Sequence, residues 1–124
     1  MEHPRVIPVK KHLDRLRRVC MGYPEVVEAE QFGTPWWKAG KKSFCIYGTD
    51  EGGSAISLNL TPEDQAVLIE DPRFSKSRYI GQHGWVSMRL TGRIDWGLVE
   101  DLVDSAYRKV ALKRMLKALD GPGS

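Results

Sequence analysis

Apolar residues at helical spacing mark the first element of this 124-residue chain. They recur every three or four positions on one face, while the opposite face is basic. The apolar stripe is Val9, Leu13, Leu16 and Cys20, and the basic face is Lys10, Lys11, Arg15, Arg17 and Arg18. Gly22 and Pro24 predict where this helix ends. The basic face is either solvated or binds phosphate, and the pattern alone leaves both open.

Four short runs of strand-forming residues follow, separated by turn signals. The runs cover residues 26–32, 36–38, 43–47 and 55–60. Because the links between them are so short, we predict an antiparallel meander. We also predict a tight turn at Gly33 and Pro35 that delivers Trp36 and Trp37 into the second strand, and a hairpin turn at residues 50–53.

The second half of the chain predicts two further helices and one more strand. Residues 61–64, Thr-Pro-Glu-Asp, are typical of a helix start, and that helix should reach about Glu70. Residues 73–84 are expected to form a basic loop, and residues 85–90 a last strand. Asp95 should cap one long final helix whose apolar stripe extends to Leu119.

The order of these elements predicts an α+β fold, namely a two-layer sandwich of an antiparallel meander sheet and helices. Three helices can cover only one face of such a sheet, so the other face should be open. A chain of this length buries roughly two-thirds of its unfolded surface, which is enough for one core. We therefore predict a single domain over residues 1–124, with an ordered core of about residues 6–119.

Composition narrows the class of protein further. The chain is 41% hydrophobic and 28% charged, which argues against disorder. No apolar run approaches the length of a membrane span, and the start lacks the apolar region of a secretory signal, so we expect a cytoplasmic protein without a membrane partner. Cys20 and Cys45 fall in a helical and a strand pattern, which favours buried thiols over a disulfide.

The sequence carries no catalytic signature, so we predict that the protein is not an enzyme and holds no metal or cofactor. It lacks a phosphate-binding loop, zinc-ligand spacing and a serine nucleophile elbow, and its three histidines are scattered. Glu63 and Asp64 are explained as acids at a helix start. Glu28 and Glu30 share one strand face and are expected to be solvated.

Basic residues next to aromatic ones are the remaining candidate chemistry. The net charge of +3 only permits an anionic partner, but the charges come in blocks, and no acid occurs from Arg73 to Arg93. Adjacent Trp36 and Trp37 must point to opposite faces of a strand, one into the core and one onto the open face. Trp85 shares a strand face with Arg89 and is also expected on the open face.

Exposed tryptophans beside cations can stack on bases while the cations hold phosphates. The predicted nucleic-acid-binding residues are Trp36, Trp37, Lys38, Lys41, Lys42, Arg78, His83, Trp85, Arg89 and Arg93. The same aromatic face could instead dock a protein or bind a small molecule, and the tryptophans could simply be buried.

Four blocks in order resemble the MmcQ/YjbR family, once called a domain of unknown function, and together span about residues 9–119. Residues 32–44 resemble its FGxPxxKVxGKxF signature, and residues 55–63 its SLKxxPE block. Residues 77–86 resemble its xYxGxxGW block, and residues 104–111 its helical xxSYxLVxxKL block.

The resemblance implies a fold like that of CyaY, the bacterial frataxin, with a double-wing arrangement. It also implies a DNA-binding role, because members often carry that label. Iron chemistry like that of frataxin would need an acidic first helix, whereas the first helix here is basic. The sequence therefore predicts a non-catalytic module that binds nucleic acid with low sequence specificity, and a protein or small-molecule partner is the alternative.

Overall fold

The computed structural model describes residues 10–50, 53–78 and 80–121, and within them the chain forms four α-helices, six strands and a 3-10 turn. Val9 of the predicted helical stripe, His3, Glu51 and Gly52 of the predicted hairpin turn, and Tyr79 lie outside these residues. The elements are α1 (Lys10–Met21), β1 (Val27–Gln31), β2 (Thr34–Ala39), β3 (Lys42–Asp50), β4 (Gly53–Asn59), α2 (Pro62–Leu68), β5 (Phe74–Lys76), the 3-10 turn (Gly81–His83), β6 (Trp85–Arg89), α3 (Trp96–Val110) and α4 (Lys113–Asp120).

The strands form one antiparallel sheet in the order β1-β2-β3-β4-β6-β5. The predicted meander is confirmed for β1 to β4, and the predicted last strand joins it through β4. Register places two sets of residues in rows across the sheet, one on each face. The row toward the helices is Trp37, Cys45, Leu58, Val86 and, at the edge strand, Lys76. The row on the other face is Trp36, Ile46, Ser57, Ser87 and Ser75.

The core lies between the sheet and the helices on one side of it, as an α+β sandwich requires. Leu16 and Cys20 of α1 and Val99, Val103 and Tyr107 of α3 are fully buried in one cluster with the strand residues of that face. The prediction that both cysteines are buried thiols is confirmed, since Cys20 and Cys45 are free and inaccessible. Burial, together with the neighbouring thiol of Cys45, raises the pKa of Cys20 well above its usual range.

The first hairpin turn is centred earlier in the chain than the predicted turn at Gly33 and Pro35. Phe32 and Gly33 occupy its two central positions, both with positive φ (54° and 77°), and Gln31 pairs with Thr34 across it. This is the backbone of a type I′ turn, whose twist suits a two-residue hairpin. Pro35 is therefore a strand residue opposite Glu30, and the predicted turn at Gly33 and Pro35 is wrong in its second residue.

Two further expectations fail in the second half of the chain. The predicted loop at residues 73–84 contains the strand β5, which is only three residues long and has Phe74 as its buried member. The predicted single final helix is broken, because Ala111 and Leu112 adopt extended conformations between α3 and α4. The break places Leu112 beside Gly40 and allows Met115 to be buried.

Candidate functional site

Small side chains form the floor of the open sheet face. Ser57, Ser87 and Ser75 follow one another across three strands, and Ala55 lies beside them on β4. The hydroxyl of Ser87 is 3.0 Å from that of Ser57 and 2.8 Å from that of the buried Ser77. Because these side chains are short, the face is hollow toward its outer edge, where a groove of about 600 Å³ opens.

Four cations line this groove, which we call the basic groove. They are Arg73, Lys76, Arg78 and Arg89. Among the described residues that line it, none is acidic. Arg93 lies in an adjoining cavity of about 360 Å³ that Arg73 and Arg89 also line. The basic residues of the acid-free stretch from Arg73 to Arg93 therefore gather at one edge of the sheet.

Arg78 is the cation that extends farthest over the face. It also lines a second cavity, of about 240 Å³, together with Ile46, Gly48 and Ser57 from the middle strands. Its guanidinium has no hydrogen bond or ion pair within residues 10–50, 53–78 and 80–121. Two neighbouring cations are already engaged, since Arg73 forms an ion pair of 2.7 Å with Asp71 and Arg89 donates to the carbonyl of Gly53 at 3.3 Å. Arg78 is thus a cation over the open face whose N–H donors are not used by other described residues.

The two adjacent tryptophans divide between the faces as the alternation predicts. Trp36 is half-buried on the open face, and its indole donates to Thr34 Oγ1 at 3.0 Å. Phe32, in the adjoining turn, is 93% exposed, with its ring centroid 6.4 Å from that of Trp36. Trp37 is fully buried and its indole donates to Glu28. Trp37 therefore cannot stack on a ligand, and its place among the predicted binding residues is wrong.

Trp85 lies on the predicted face but is not exposed. It alternates with Val86 and follows the same side of β6 as Ser87 and Arg89, yet only 8% of it is accessible. Hydrogen bonds hold the loop after β5 against Trp85. The Ser77 N–H donates to the Trp85 carbonyl, and Gln65 Nε2 donates to the carbonyls of Trp85 and Gly81. A stacking role for Trp85 is therefore wrong.

The remaining predicted cations lie at the other end of the sheet. Lys42 pairs with Ala39 beside the β2–β3 turn. Along β3 it lies six residues from Gly48, which is in the same cross-strand row as Arg89. Six strand residues span about 20 Å, so Lys41 and Lys42 do not converge with the basic groove. Lys38 is half-buried within β2, and His83 belongs to the 3-10 turn, with an exposed side chain. The structure therefore does not bring Lys41 and Lys42 together with Arg78, Arg89 and Arg93, which belong to the same predicted binding set.

Lys109 takes a structural place beside these residues. Its Nζ donates to Asn59 Oδ1 and to the Leu60 carbonyl, both at 2.6 Å, and to the His83 carbonyl at 3.4 Å. Burial, and then the nearby charge of Lys42, lowers the pKa of Lys109. This end of the sheet is therefore held by α3, and one of its cations is occupied by protein carbonyls.

Arg73 and Lys76 belong to the site although the predicted set omits them. The signal that could have found them is the acid-free stretch from Arg73 to Arg93, to which both residues belong. Within the part of the chain that the structure describes, no three His, Cys, Asp or Glu side chains group as a metal site would require. No helix among these same residues is long and apolar enough to cross a membrane. What the arrangement offers chemically is a set of phosphate-binding cations around a small polar floor.

Comparisons with known proteins agree with this fold. The sequence matches the family model described as YjbR over residues 21–109. The crystal structure of the Deinococcus radiodurans protein DR2400, whose family-model domain is DUF419, is similar with a TM-score of 0.71 and 24% identity, over 90% of each chain. A Pseudomonas syringae protein, the structural genomics target PsR293, has a TM-score of 0.63 and 12% identity, over 84% of this chain and 99% of its own. No curated protein matches the sequence.

Proposed function

The chain belongs to the YjbR family, and we propose that it is a non-catalytic module that binds single-stranded nucleic acid along the open face of its sheet. The observation that carries this proposal is Arg78, whose guanidinium has no partner among the described residues and lies at a groove that three other cations also line. Guanidinium groups bind phosphate oxygens through paired N–H donors. Arg73 is already paired with Asp71, whereas Arg78 meets no carboxylate among the described residues.

The shape of the face favours a single strand over a duplex. The row from Trp36 to Ser75 crosses four interstrand spacings, or about 19 Å. Ile46 and three serines lie along it, with an aromatic ring at one end and cations near the other. An extended strand can lay its phosphates toward the basic groove and an unpaired base against Trp36. Contacts of this kind carry little sequence information, so specificity is expected to be low.

A second candidate function rests on one specific observation at the opposite edge. Phe32 is 93% exposed and Val27 is 59% exposed, and both lie on the hairpin that carries Trp36. Exposed apolar side chains beside a half-buried tryptophan suit docking of a protein through apolar contact. Such binding would depend weakly on salt, whereas phosphate binding depends on it steeply.

The test is the salt dependence of binding to a labelled oligothymidylate, followed by fluorescence anisotropy. The variant Lys76→Ala/Arg78→Ala should weaken binding and reduce the log–log salt slope by about 0.7 for each phosphate that the protein no longer binds. The matched control is Lys41→Ala/Lys42→Ala, which removes the same charge at the far end of the sheet and should leave the slope nearly unchanged.

Equal weakening in the two double variants would show that net charge, rather than the groove, attracts the strand, and the proposal would be wrong. Absence of binding by the parent protein at low salt would also overturn it and would leave protein docking as the better candidate.

A further inference from the structure

A second cation-lined cavity lies on the helix side of the molecule. It has a volume of about 300 Å³ and lies between α1 and the connection from β6 to α3. Four basic side chains of α1 line one side, and Gly92, Ile94 and Trp96 line the other. The basic residues are Lys11, His12, Arg15 and Arg18. We call this cavity the α1 niche, and none of the described residues that line it is acidic.

Among the described residues, the cations of the α1 niche have no carboxylate partner, unlike their neighbour Arg17. Arg17 forms ion pairs with Asp14 at 3.3 Å and with Glu28 at 2.8 Å. Over the described part of the chain, Lys11, Arg15 and Arg18 form no ion pair, and the guanidinium carbon of Arg15 instead lies 4.7 Å from the ring centroid of Trp96. Stacking on the indole fixes the plane of this guanidinium and leaves its N–H donors available.

His12 adds an unsatisfied polar atom to the same cavity. Its ring lies 6.1 Å from that of Trp96, and its Nδ1 is buried without a hydrogen-bond partner in the described structure. A buried polar atom without a partner is costly, and such atoms usually meet a water molecule, an ion or a ligand. Burial, and then the charge of Lys11, lowers the pKa of His12, which favours the neutral ring. The neutral ring donates from Nδ1 in the tautomer that carries its proton there.

We propose that the α1 niche is a binding site for a phosphate group. Two arginines and a lysine provide donors for several oxygens of one anion, and the imidazole of His12 adds one more in the tautomer that has its proton on Nδ1. The phosphate could belong to a small phosphate ester or to the end of a nucleic-acid strand. A strand bound in the basic groove could reach the niche with its end. Ile94 lines both the niche and the cavity of Arg93, and that cavity adjoins the basic groove.

Inorganic phosphate tests the site directly, by NMR titration of the full chain with the Trp96 indole and the backbone amides of residues 11–18 and 92–96 as reporters. The parent protein should show saturable shifts that sodium chloride at equal ionic strength does not reproduce. The variant Lys11→Ala/Arg18→Ala should bind about tenfold more weakly, because two charged donors are removed. The control Lys113→Ala/Lys117→Ala carries the same change of charge on α4 and should bind as the parent does.

Chloride-like shifts in the parent, or equal phosphate binding by the niche variant and the α4 variant, would overturn the proposal. Variants of Lys76 and Arg78 should leave phosphate binding in the niche unchanged, so the failure of one site does not imply the failure of the other.

Two oligothymidylates distinguish the sources of the phosphate. If the strand end occupies the niche, a 5′-phosphorylated oligomer should bind the parent more tightly than its 5′-hydroxyl counterpart, and the niche variant should abolish that difference. If the two oligomers bind equally while inorganic phosphate still saturates the niche, the ligand is a small phosphate ester.

Discussion

The carboxylate of Glu28 accepts a hydrogen bond of 3.0 Å from the indole of Trp37, which joins the edge strand β1 to the buried face of β2. The same carboxylate accepts from Arg17 of α1, at 2.8 Å and 3.1 Å. The expectation that Glu28 is solvated is therefore wrong. Its position opposite Trp37 turns it toward the helices, where the buried indole needs an acceptor.

Replacing Glu28 with Gln should lower the free energy of unfolding by about 1–3 kcal/mol, because the amide lacks the negative charge and has only one acceptor oxygen. The oxygen that accepts from the second guanidinium nitrogen of Arg17 is replaced by an NH2 group, which cannot accept. Urea unfolding at pH 7 measures this change. Glu30→Gln is the matched control on the same face of β1 and should change stability by less than about 0.5 kcal/mol.

The Glu28 cluster should also make stability depend on acid pH. The hydrogen bond from Arg17, and then that from Trp37, lowers the pKa of Glu28 in the folded protein. A lowered folded pKa means that the stabilisation is present above the unfolded value of about 4.3 and disappears as the pH falls through the folded value. The stability of the parent protein should therefore fall more between pH 7 and pH 3 than that of Glu28→Gln does. Identical decreases in the two proteins would contradict this assignment.

Gly84 should tolerate no side chain. Its φ is +97°, and a Cβ there would overlap the carbonyl oxygen of Leu60, whose own N–H donates to the Gly84 carbonyl at 3.3 Å. Gly33 provides a control, since it too has a positive φ but has open space around it. Gly33→Ala should cost about 1–2 kcal/mol from its backbone conformation alone. Gly84→Ala should cost clearly more, and thermal or urea unfolding that gives equal destabilisation would refute the close approach.

Substitution of Trp36 should affect binding, whereas substitution of Trp37 should affect stability. Trp37→Ala removes a fully buried ring and should destabilise the fold by about 3–5 kcal/mol. Trp36→Ala should leave the circular dichroism spectrum unchanged and reduce the affinity for oligothymidylate by about 1–3 kcal/mol, without a change in salt slope, if the ring stacks on a base. Unchanged affinity in a folded Trp36→Ala protein would remove the stacking contact from the proposed mechanism.

Lys109 should contribute to stability although it lies in a basic segment. Lys109→Met removes the donor to the Leu60 carbonyl and to Asn59, so we expect destabilisation by about 1–2 kcal/mol. Lys113→Met on α4 is the comparison, since Lys113 is exposed. Chemical unfolding in which the two variants are equally stable would show that these short hydrogen bonds add nothing.

The sequence could predict those parts of the fold that depend on neighbours along the chain. Thr61 caps α2 by accepting from the Asp64 N–H at 3.1 Å, and Asp95 caps α3 by accepting from the Leu98 N–H at 3.1 Å. β5 could not be predicted in this way, because three residues are too short to show alternation. The break at Ala111 was equally hidden, since no glycine or proline marks it.

The candidate site was predictable in composition but not in arrangement. Strand alternation correctly separated Trp36 from Trp37, because neighbouring strand residues face opposite ways. Alternation also gave the correct side for Trp85, but it cannot reveal that the chain after β5 returns to that position. Lys41 follows β2 and Arg89 ends β6, and these two strands run in opposite directions, so the two residues lie at different ends of the sheet. The direction of β6 depends on its pairing with β4, which the sequence does not reveal.

The shortness of β5 has a consequence for the protein at high concentration. A sheet edge with unpaired N–H and C=O groups can recruit a strand from another copy, and edge-to-edge pairing of this kind leads toward amyloid-like aggregation. β5 offers only three residues at its edge, and one of them, Lys76, is exposed and charged. The same lysine that lines the basic groove therefore also discourages the sheet from growing beyond its own chain.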